Sequence, residues 1–390
     1  MGIRLRIMID ARMLVGRFSG VSRVVTRLVD ELAKRDDVRV VALCGSEPYA
    51  PWSLRDDIEL VASTFGRSDR TACRRLLWEE TELPAIIRRA GVDLFHAMWN
   101  SGIPIRCPVP AVLTIHDLIP WHNPTEHFTS LTQRVCYRYG MRASARRAAR
   151  VTTVSEYVRR EVLDRLLLGA LRVVAIPNGV NCPGTPAVPR RIEDRPYVLY
   201  VGGHEPRKNV AGVFRALERY WERFDASLEL RLTGTVASLT ADAKVAFGSL
   251  PAEAPVRFLG DPSDEELGRQ YASAEALLLL SRDEGFGLPA LEAMAHGCPV
   301  IAAAQASLPE VVGDAGILVN PDNPTAISDA IDRLRTSPHD RAELVRRGLA
   351  RVQAFSWETM AECMYGLYRS VLRGSVPSQV PEVLWTWGSR

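Results

Sequence analysis

The chain has 390 residues, of which 47% are hydrophobic and 24% charged; that excludes a disordered polymer and leaves room for two domains of ordinary size. Its longest dense apolar run, Ala276 to Leu280, is too short to cross a bilayer. The net charge of +3 hides an asymmetry: residues 1–180 carry 27 basic and 19 acidic side chains, residues 181–390 carry 22 and 27, so the halves are expected to meet different ligands.

The opening MGIRLRIMID alternates like a strand, unlike a secretory leader, and Ile3 to Ile9 is predicted as a buried strand. A loop holding Gly16 and Gly20 follows. Val21, Val24, Val25, Leu28, Val29 and Leu32 then recur at helical spacing. Strands are predicted at Val38–Leu43, Leu94–Ala97, Ala111–Ile115, Val151–Val154 and Val173–Ile176, with helices at Leu76–Arg89, about 126–149 and Ser155–Leu167. This alternation argues for a parallel sheet wrapped by helices.

The pattern stops at Cys182 to Pro196, which holds four prolines and reads as an interdomain linker. It then restarts. Strands are predicted at Tyr197–Val201, Leu228–Leu232, Val256–Leu259, Ala276–Leu280 and Val300–Ala303. Helices are predicted at Val210–Tyr220, Asp264–Ser273, Pro289–His296, Thr325–Arg335 and Trp357–Leu372. The fold class is α/β, two doubly wound parallel-sheet domains facing a cleft: 1–182, a linker 183–196, 197–355, a terminal helix 356–373, and a tail 374–390 with Trp385 and Trp387. Seven scattered cysteines without a CxxC pair support neither a disulfide framework nor a zinc ribbon, so a reducing cytosol is the expected setting.

The chemistry concentrates in Ser281–Pro299, SRDEGFGLPALEAMAHGCP, directly after the apolar strand, at the strand end where such sheets bind ligands. Gly285 and Gly287 allow close backbone approach, and Pro289 suits a first helical turn. The helix N-terminus then offers free amides to an anion such as diphosphate, worth roughly 0.3–1 kcal/mol. Glu284 and Glu292 bracket the turn. Eight residues apart, they fit two parts of one extended hydroxyl-bearing ligand better than the acid/base pair of a hydrolase. The blander reading is a helix-capping Glu284 and a solvated Glu292.

Only three lysines occur, Lys34, Lys208 and Lys244, so Lys208 beside Arg207 is informative. Two fixed cations would stabilise a departing diphosphate, and no Asp-x-Asp or metal-ligand spacing appears, so neither a metal nor another cofactor is expected. His116–Asp117 follows the strand AVLTI and could meet a sugar or acceptor hydroxyl; a structural histidine satisfied by Asp117 is the competing reading. His96 and His204 read as core or loop residues. The Gly16/Gly20 loop lacks GxGxxG spacing, which argues against a dinucleotide redox site.

Glu284–Gly–Phe–Gly–Leu–Pro–Ala–Leu–Glu292 resembles the Glu-seven-residues-Glu motif of retaining glycosyltransferase family 4. The resemblance extends through Leu308–Pro–Glu–Val–Val–Gly313, Tyr200–Val–Gly–Gly203, Arg207–Lys–Asn209 and Val256–Arg–Phe–Leu–Gly260, and more thinly through Asp10–Ala–Arg12, Val92–Asp–Leu–Phe–His96, His116–Asp117 and Ile176–Pro–Asn–Gly179. It implies a GT-B fold, with an acceptor-binding N-terminal domain and a nucleotide-sugar-binding C-terminal domain. By position, Glu292 matches the ribose-binding residue. Glu284, Phe286, Gly287 and Leu288 match the cradle of the transferred sugar and distal phosphate, and Arg207 and Lys208 the diphosphate clamp. Gly20, Gly203 and Gly260 fall on the donor side, His116 near the transferred sugar, and His116 with Asp117 on the acceptor side.

The implied reaction moves a hexosyl unit from a GDP-, UDP- or dTDP-linked sugar to a hydroxyl of a glycan or lipid-linked acceptor, with retention. The closest style is that of bacterial surface-polysaccharide mannosyl- and rhamnosyltransferases, with GDP-mannose the first choice. A nucleotide-sugar epimerase on the same fold and a non-catalytic nucleotide-sugar-binding partner are the alternatives. Arg134, Arg138, Arg142, Arg146 and Arg150 recur at four-residue steps and suggest a broad basic face, able to rest on anionic lipid at the inner side of the cytoplasmic membrane or to stand solvated. No nucleic-acid motif accompanies it.

Overall fold

A computed structural model describes residues 4–12, 14, 20–46, 50–52, 55–66, 71–182 and 195–374. Gly16, nearly all of the expected linker, and the tail with Trp385 and Trp387 lie outside the described residues. The chain divides into two compact units, Met1–Gly179 with Trp357–Arg390, and Val180–Ser356.

The first unit holds seven parallel strands: β1 (Leu5–Asp10), β2 (Val38–Cys44), β3 (Ile58–Ala62), β4 (Leu94–Ala97), β5 (Ala111–Ile115), β6 (Arg150–Thr153) and β7 (Val173–Ala175). Their order is β3-β2-β1-β4-β5-β6-β7. β1 runs beside β2 from Leu5↔Val38 to Asp10↔Leu43, and beside β4 from Ile7↔Leu94 to Ile9↔His96. β4 and β5 are wholly buried and, apart from His96 and Thr114, apolar, as expected where helices cover both faces of a parallel sheet. The helix Gly20–Ala33 buries Val24, Val25, Leu28, Val29 and Leu32.

The helix Trp357–Leu372 belongs to this unit although it ends the described chain. The Arg35 guanidinium lies 3.8 Å from the Tyr365 ring centre. Tyr368 hydroxyl and His96 Nδ1 are 2.7 Å apart, and His96 Nε2 lies 2.7 Å from Thr114 Oγ1, itself 2.6 Å from Thr152 Oγ1. Burial, and secondarily the neighbouring His116, push the His96 imidazole down to about 3, so it stays a neutral member of a core polar chain.

The second unit holds six parallel strands: β8 (Tyr197–Tyr200), β9 (Glu229–Leu232), β10 (Val256–Phe258), β11 (Ala276–Leu279), β12 (Val300–Ala303) and β13 (Ile317–Val319). The order is β10-β9-β8-β11-β12-β13. The helix Val210–Arg223 packs Val213, Phe214, Leu217 and Tyr220 into the core beneath β8, β9 and β11.

Several elements differ from the sequence reading. The expected helix Leu76–Arg89 is two, Ala72–Thr81 and Leu83–Ala90; Pro84 fits the first turn of a new helix and not the interior of an old one. The expected 126–149 helix is a short turn, Pro124–His127, followed by Leu131–Arg147, whose start is capped by the Ser130 hydroxyl accepting from Gln133 N at 3.2 Å. Arg150 therefore lies in β6 and leaves the arginine series. The sequence reading lacks β3, β13 and the helices Ala241–Gly248 and Pro338–Val352. Both strands are short, partly exposed sheet edges, so neither carries the dense apolar run of a central strand. The helix Asp264–Ser273 falls where predicted, fixed by a Ser263/Glu266 capping box.

Candidate active site

The order of the second sheet explains the site. From the neighbours β8 and β11 the chain proceeds in opposite directions, to β9 and β10 on one side and β12 and β13 on the other. The loops leaving β8 and β11 therefore open a crevice at the strand ends. The first carries Arg207 and Lys208 in the turn Pro206–Lys208, ended by Asn209, which is buried with φ 55° and donates from Nδ2 to Pro321 O at 3.1 Å. The second carries Glu284. Lys208 Nζ donates to Glu284 Oε1 at 2.5 Å, and Arg207 Nη1 reaches Glu284 Oε2 at 3.4 Å and Asp283 O at 3.1 Å. Arg282 N closes the loops together by donating to Arg207 O at 2.7 Å.

Glu284 is buried. Burial alone would raise its carboxyl, but the charges of Lys208 and Arg207 and the Lys208 hydrogen bond outweigh it and hold the group below the ordinary carboxylate range. Two cations thus converge on a single buried carboxylate.

After Glu284 the chain turns through Gly287, with φ +103°. A Cβ there would stand 2.6 Å from Leu308 Cδ2, so both backbone angle and space call for glycine. The helix Leu288–Ala295 begins at once. Among the described residues the amides of Phe286, Gly287 and Leu288 donate no hydrogen bond. The carbonyls of Glu284 and Phe286 are held by Ser307 Oγ, 2.9 Å from each, and the Phe286 ring is buried edge-on against Phe355. The turn thus keeps its acceptors occupied and its donors available, next in sequence to the carboxylate that holds Arg207 and Lys208.

Glu292 lies in the same helix, partly buried, and its Oε2 accepts from the Tyr271 hydroxyl at 3.1 Å. Tyr271 in turn stacks on His296 at 5.6 Å between ring centres. Gly203 receives the Tyr200 hydroxyl on its carbonyl. Gly260, at φ +68°, pairs with Gly234 through both amides at 2.6 and 3.0 Å. Gly234 is packed under His204, which bridges Thr233 O at 2.8 Å and Ser238 Oγ at 2.9 Å, a loop role rather than a ligand-facing one.

The sequence profile of glycosyl transferases group 1 matches residues 185–351, and that of glycosyltransferase family 4 matches residues 18–183. O-antigen chain mannosyltransferase B of Escherichia coli is 32% identical over 286 residues, spanning 66% of this chain and 70% of that one. The chain belongs to glycosyltransferase family 4. Among solved structures, sucrose-phosphate synthase from Thermosynechococcus elongatus superposes with a TM-score of 0.76 at 22% identity, over 95% of this chain and 100% of that one. HepE from Anabaena, solved with UDP and glucose, gives 0.71 at 19%, over 94% and 100%. The fold is GT-B, and the protein is a glycosyltransferase.

In the first unit of this family 4 enzyme, His116 stands at the end of β5. Its Nε2 lies 2.9 Å from Met98 O, and its amide donates to Asn100 Oδ1 at 2.8 Å. Burial pushes the imidazole down to about 4, against the raising effect of the Met98 carbonyl. With Nε2–H donating to that carbonyl, Nδ1 is left as an acceptor. The histidine is therefore not satisfied by Asp117, whose Oδ1 accepts from Ile119 N at 3.1 Å. Gly20 opens the helix Gly20–Ala33. Between β1 and β4, where this sheet also reverses its order, Asp10, Leu14, Ser22, Val25, Met98 and Trp99 line a small pocket.

Sequence reasoning missed two participants. Ser307 holds the turn; its one signal was a serine just before Leu308–Pro309. Tyr271 aims at Glu292 from another helix, with no local cue. Arg12, buried under the first sheet's strand ends, bonds Asp10 at 2.6 Å and Glu79 at 3.2 Å and lies 4.6 Å from the Trp78 ring centre. Among the described residues, no helix is long and apolar enough to cross a membrane and no His/Cys/Asp/Glu group could hold a metal ion.

Proposed function

We propose that this glycosyltransferase moves a mannosyl unit from GDP-mannose to a hydroxyl of a glycan or lipid-linked acceptor, keeping the anomeric configuration. The observation that carries the reading is the convergence of Arg207 and Lys208 on Glu284 beside the three available amides of residues 286–288. A diphosphate leaving group gains negative charge as the glycosyl bond breaks, and fixed cations and amides aimed at it stabilise that charge without reorganising. Glu284 orients both cations. Its remaining lone pairs suit a sugar hydroxyl, and Glu292, braced by Tyr271, suits the ribose. The departing phosphate takes the acceptor's proton on the same face, and His116 Nδ1 accepts a hydrogen bond from a sugar or acceptor hydroxyl. The name of the Escherichia coli relative supports mannose and a polysaccharide acceptor; the UDP and glucose held by HepE support a nucleotide-linked donor. Because two side-chain cations neutralise the leaving group, transfer is expected to continue in a metal chelator.

The test is a thermal-shift panel of GDP-, UDP-, dTDP- and ADP-sugars, followed by product analysis with and without acceptor. GDP-mannose should raise Tm most and give an acceptor-dependent product of retained configuration. An isomerised sugar formed from donor alone, or an inverted product, would overturn the reading.

The membrane contact rests on a narrower surface than the arginine count implied. Arg138 and Arg142 lie over the Trp121 ring, each 4.8 Å from its centre, and Arg147 pairs with Glu80 at 3.1 Å. Leu131, Val135 and Tyr139 are 73%, 58% and 53% exposed, and with Arg142 and Arg146 they fall within one helical sector. The helix Leu131–Arg147 holds no acidic residue. Such a stripe suits the anionic headgroups of the inner leaflet. Co-sedimentation with phosphatidylglycerol vesicles, but not phosphatidylcholine vesicles, should be lost when the three apolar residues become serine; equal pelleting would refute it.

A further inference from the structure

All seven cysteines are free, and two of them lie on helices that pack against each other. Cys73 sits in the first turn of the helix Ala72–Thr81, and Cys136 in the helix Leu131–Arg147. These helices pack with a readable register. Leu76 Cδ1 lies 3.7 Å from where a Cβ on Gly140 would stand. One turn back on each helix, Leu76 is replaced by Cys73 and Gly140 by Cys136, and there Cys73 Sγ lies 3.8 Å from Thr132 O. Thr132 is four residues before Cys136, and helical side chains lean back over the preceding turn, so the Cys136 side chain is directed toward the turn that Cys73 meets. Consistently, a hydrogen bond to Cys73, then burial, push the Cys136 thiol up to about 11. Both residues are half-buried and within reach of a small reagent.

We propose that Cys73 and Cys136 form a redox modification site, a dithiol that closes to a disulfide in the presence of a small-molecule disulfide oxidant. The Cys73 thiolate attacks the reagent's S–S bond, forming a mixed disulfide and releasing one thiolate. The Cys136 thiolate then attacks the Cys73 sulfur and releases the second. Two protons leave the protein and end on the two released thiols, and the reagent is reduced by two electrons. The bond links two helices separated by a long stretch of sequence and fixes their packing against unfolding.

The test treats the full chain with oxidised glutathione, alkylates the remaining thiols and digests without reductant. The expected result is a 73–136 cross-linked peptide, an intact mass lower by about 2 Da, and a rise in Tm that dithiothreitol reverses. Cys73→Ser and Cys136→Ser should each abolish the mass loss and the Tm shift while retaining the untreated Tm. Recovery of both residues alkylated or separately glutathionylated would overturn the proposal, as would cross-links to other cysteines or a cross-link that lowers Tm.

Discussion

Lys208 and Glu284 are 76 residues apart in sequence and 2.5 Å apart at their charged atoms. Their strands, β8 and β11, are neighbours at the point where the sheet reverses its order. Neither residue could be buried alone: an uncompensated buried charge is costly, and each removes that cost from the other.

Replacing Lys208 therefore acts on two levels. Lys208→Ala should reduce kcat/KM for transfer by about 100-fold to 1,000-fold, the range seen when one preorganised charge-stabilising donor is removed. It should also lower Tm, because Glu284 keeps only the longer Arg207 contact. Steady-state kinetics and thermal denaturation check both; unchanged transfer would remove Lys208 from the leaving-group site.

The acid stability of the second unit should report Glu284. Its native carboxyl is held below the ordinary value of 4.5, so its contribution is fully present above that value and is lost as pH falls through the native one. The Tm difference between the wild type and Glu284→Gln should be constant from neutral pH to about pH 5 and shrink below it. A difference that persists undiminished into strong acid would contradict the ion pair.

Glu292→Ala should weaken donor binding by about 10-fold to 100-fold, the equivalent of one hydrogen-bonded charge. Tyr271→Phe, which removes the brace at 3.1 Å, should raise the donor KM by a smaller factor and leave kcat nearly unchanged. Isothermal titration with the nucleotide separates binding from turnover.

Gly287→Ala should cost about 1–3 kcal/mol in urea denaturation, because φ +103° is strained for any other residue. Adding Leu308→Ala removes the 2.6 Å approach but leaves the backbone angle and opens a cavity at a fully buried side chain, so stability should fall further rather than recover.

His116 is held down to about 4, so it stays neutral through the working range. The pH profile of transfer should show no histidine limb between about pH 5 and 8. A limb near 6.5 that disappears in His116→Asn would show the imidazole to be solvated.

How much of this was legible beforehand depends on how local each signal is. The free amides of residues 286–288 follow from a strand, two glycines and a proline in one short run, and a helix N-terminus there was readable. The capping box at Ser263 is equally local, and that helix fell where expected. The grip of Lys208 and Arg207 on Glu284 was not readable from spacing, because it depends on strand order; only the scarcity of lysine hinted at it. Tyr271 was invisible for the same reason, and Ser307 was marked only by its place before Leu308–Pro309. The arginine series misled because a four-residue step continues on paper after the helix has stopped at Arg147, whereas Arg150 is already strand.

The terminal helix carries a consequence for biosynthesis. His96, Thr114 and Thr152 form a buried polar chain that Tyr368 completes, and Tyr368 lies 272 residues after His96. A nascent polypeptide can lay down every strand of the first sheet long before this last partner leaves the ribosome. Until then a polar seam stays open in the first sheet, so the half that is made first is finished last.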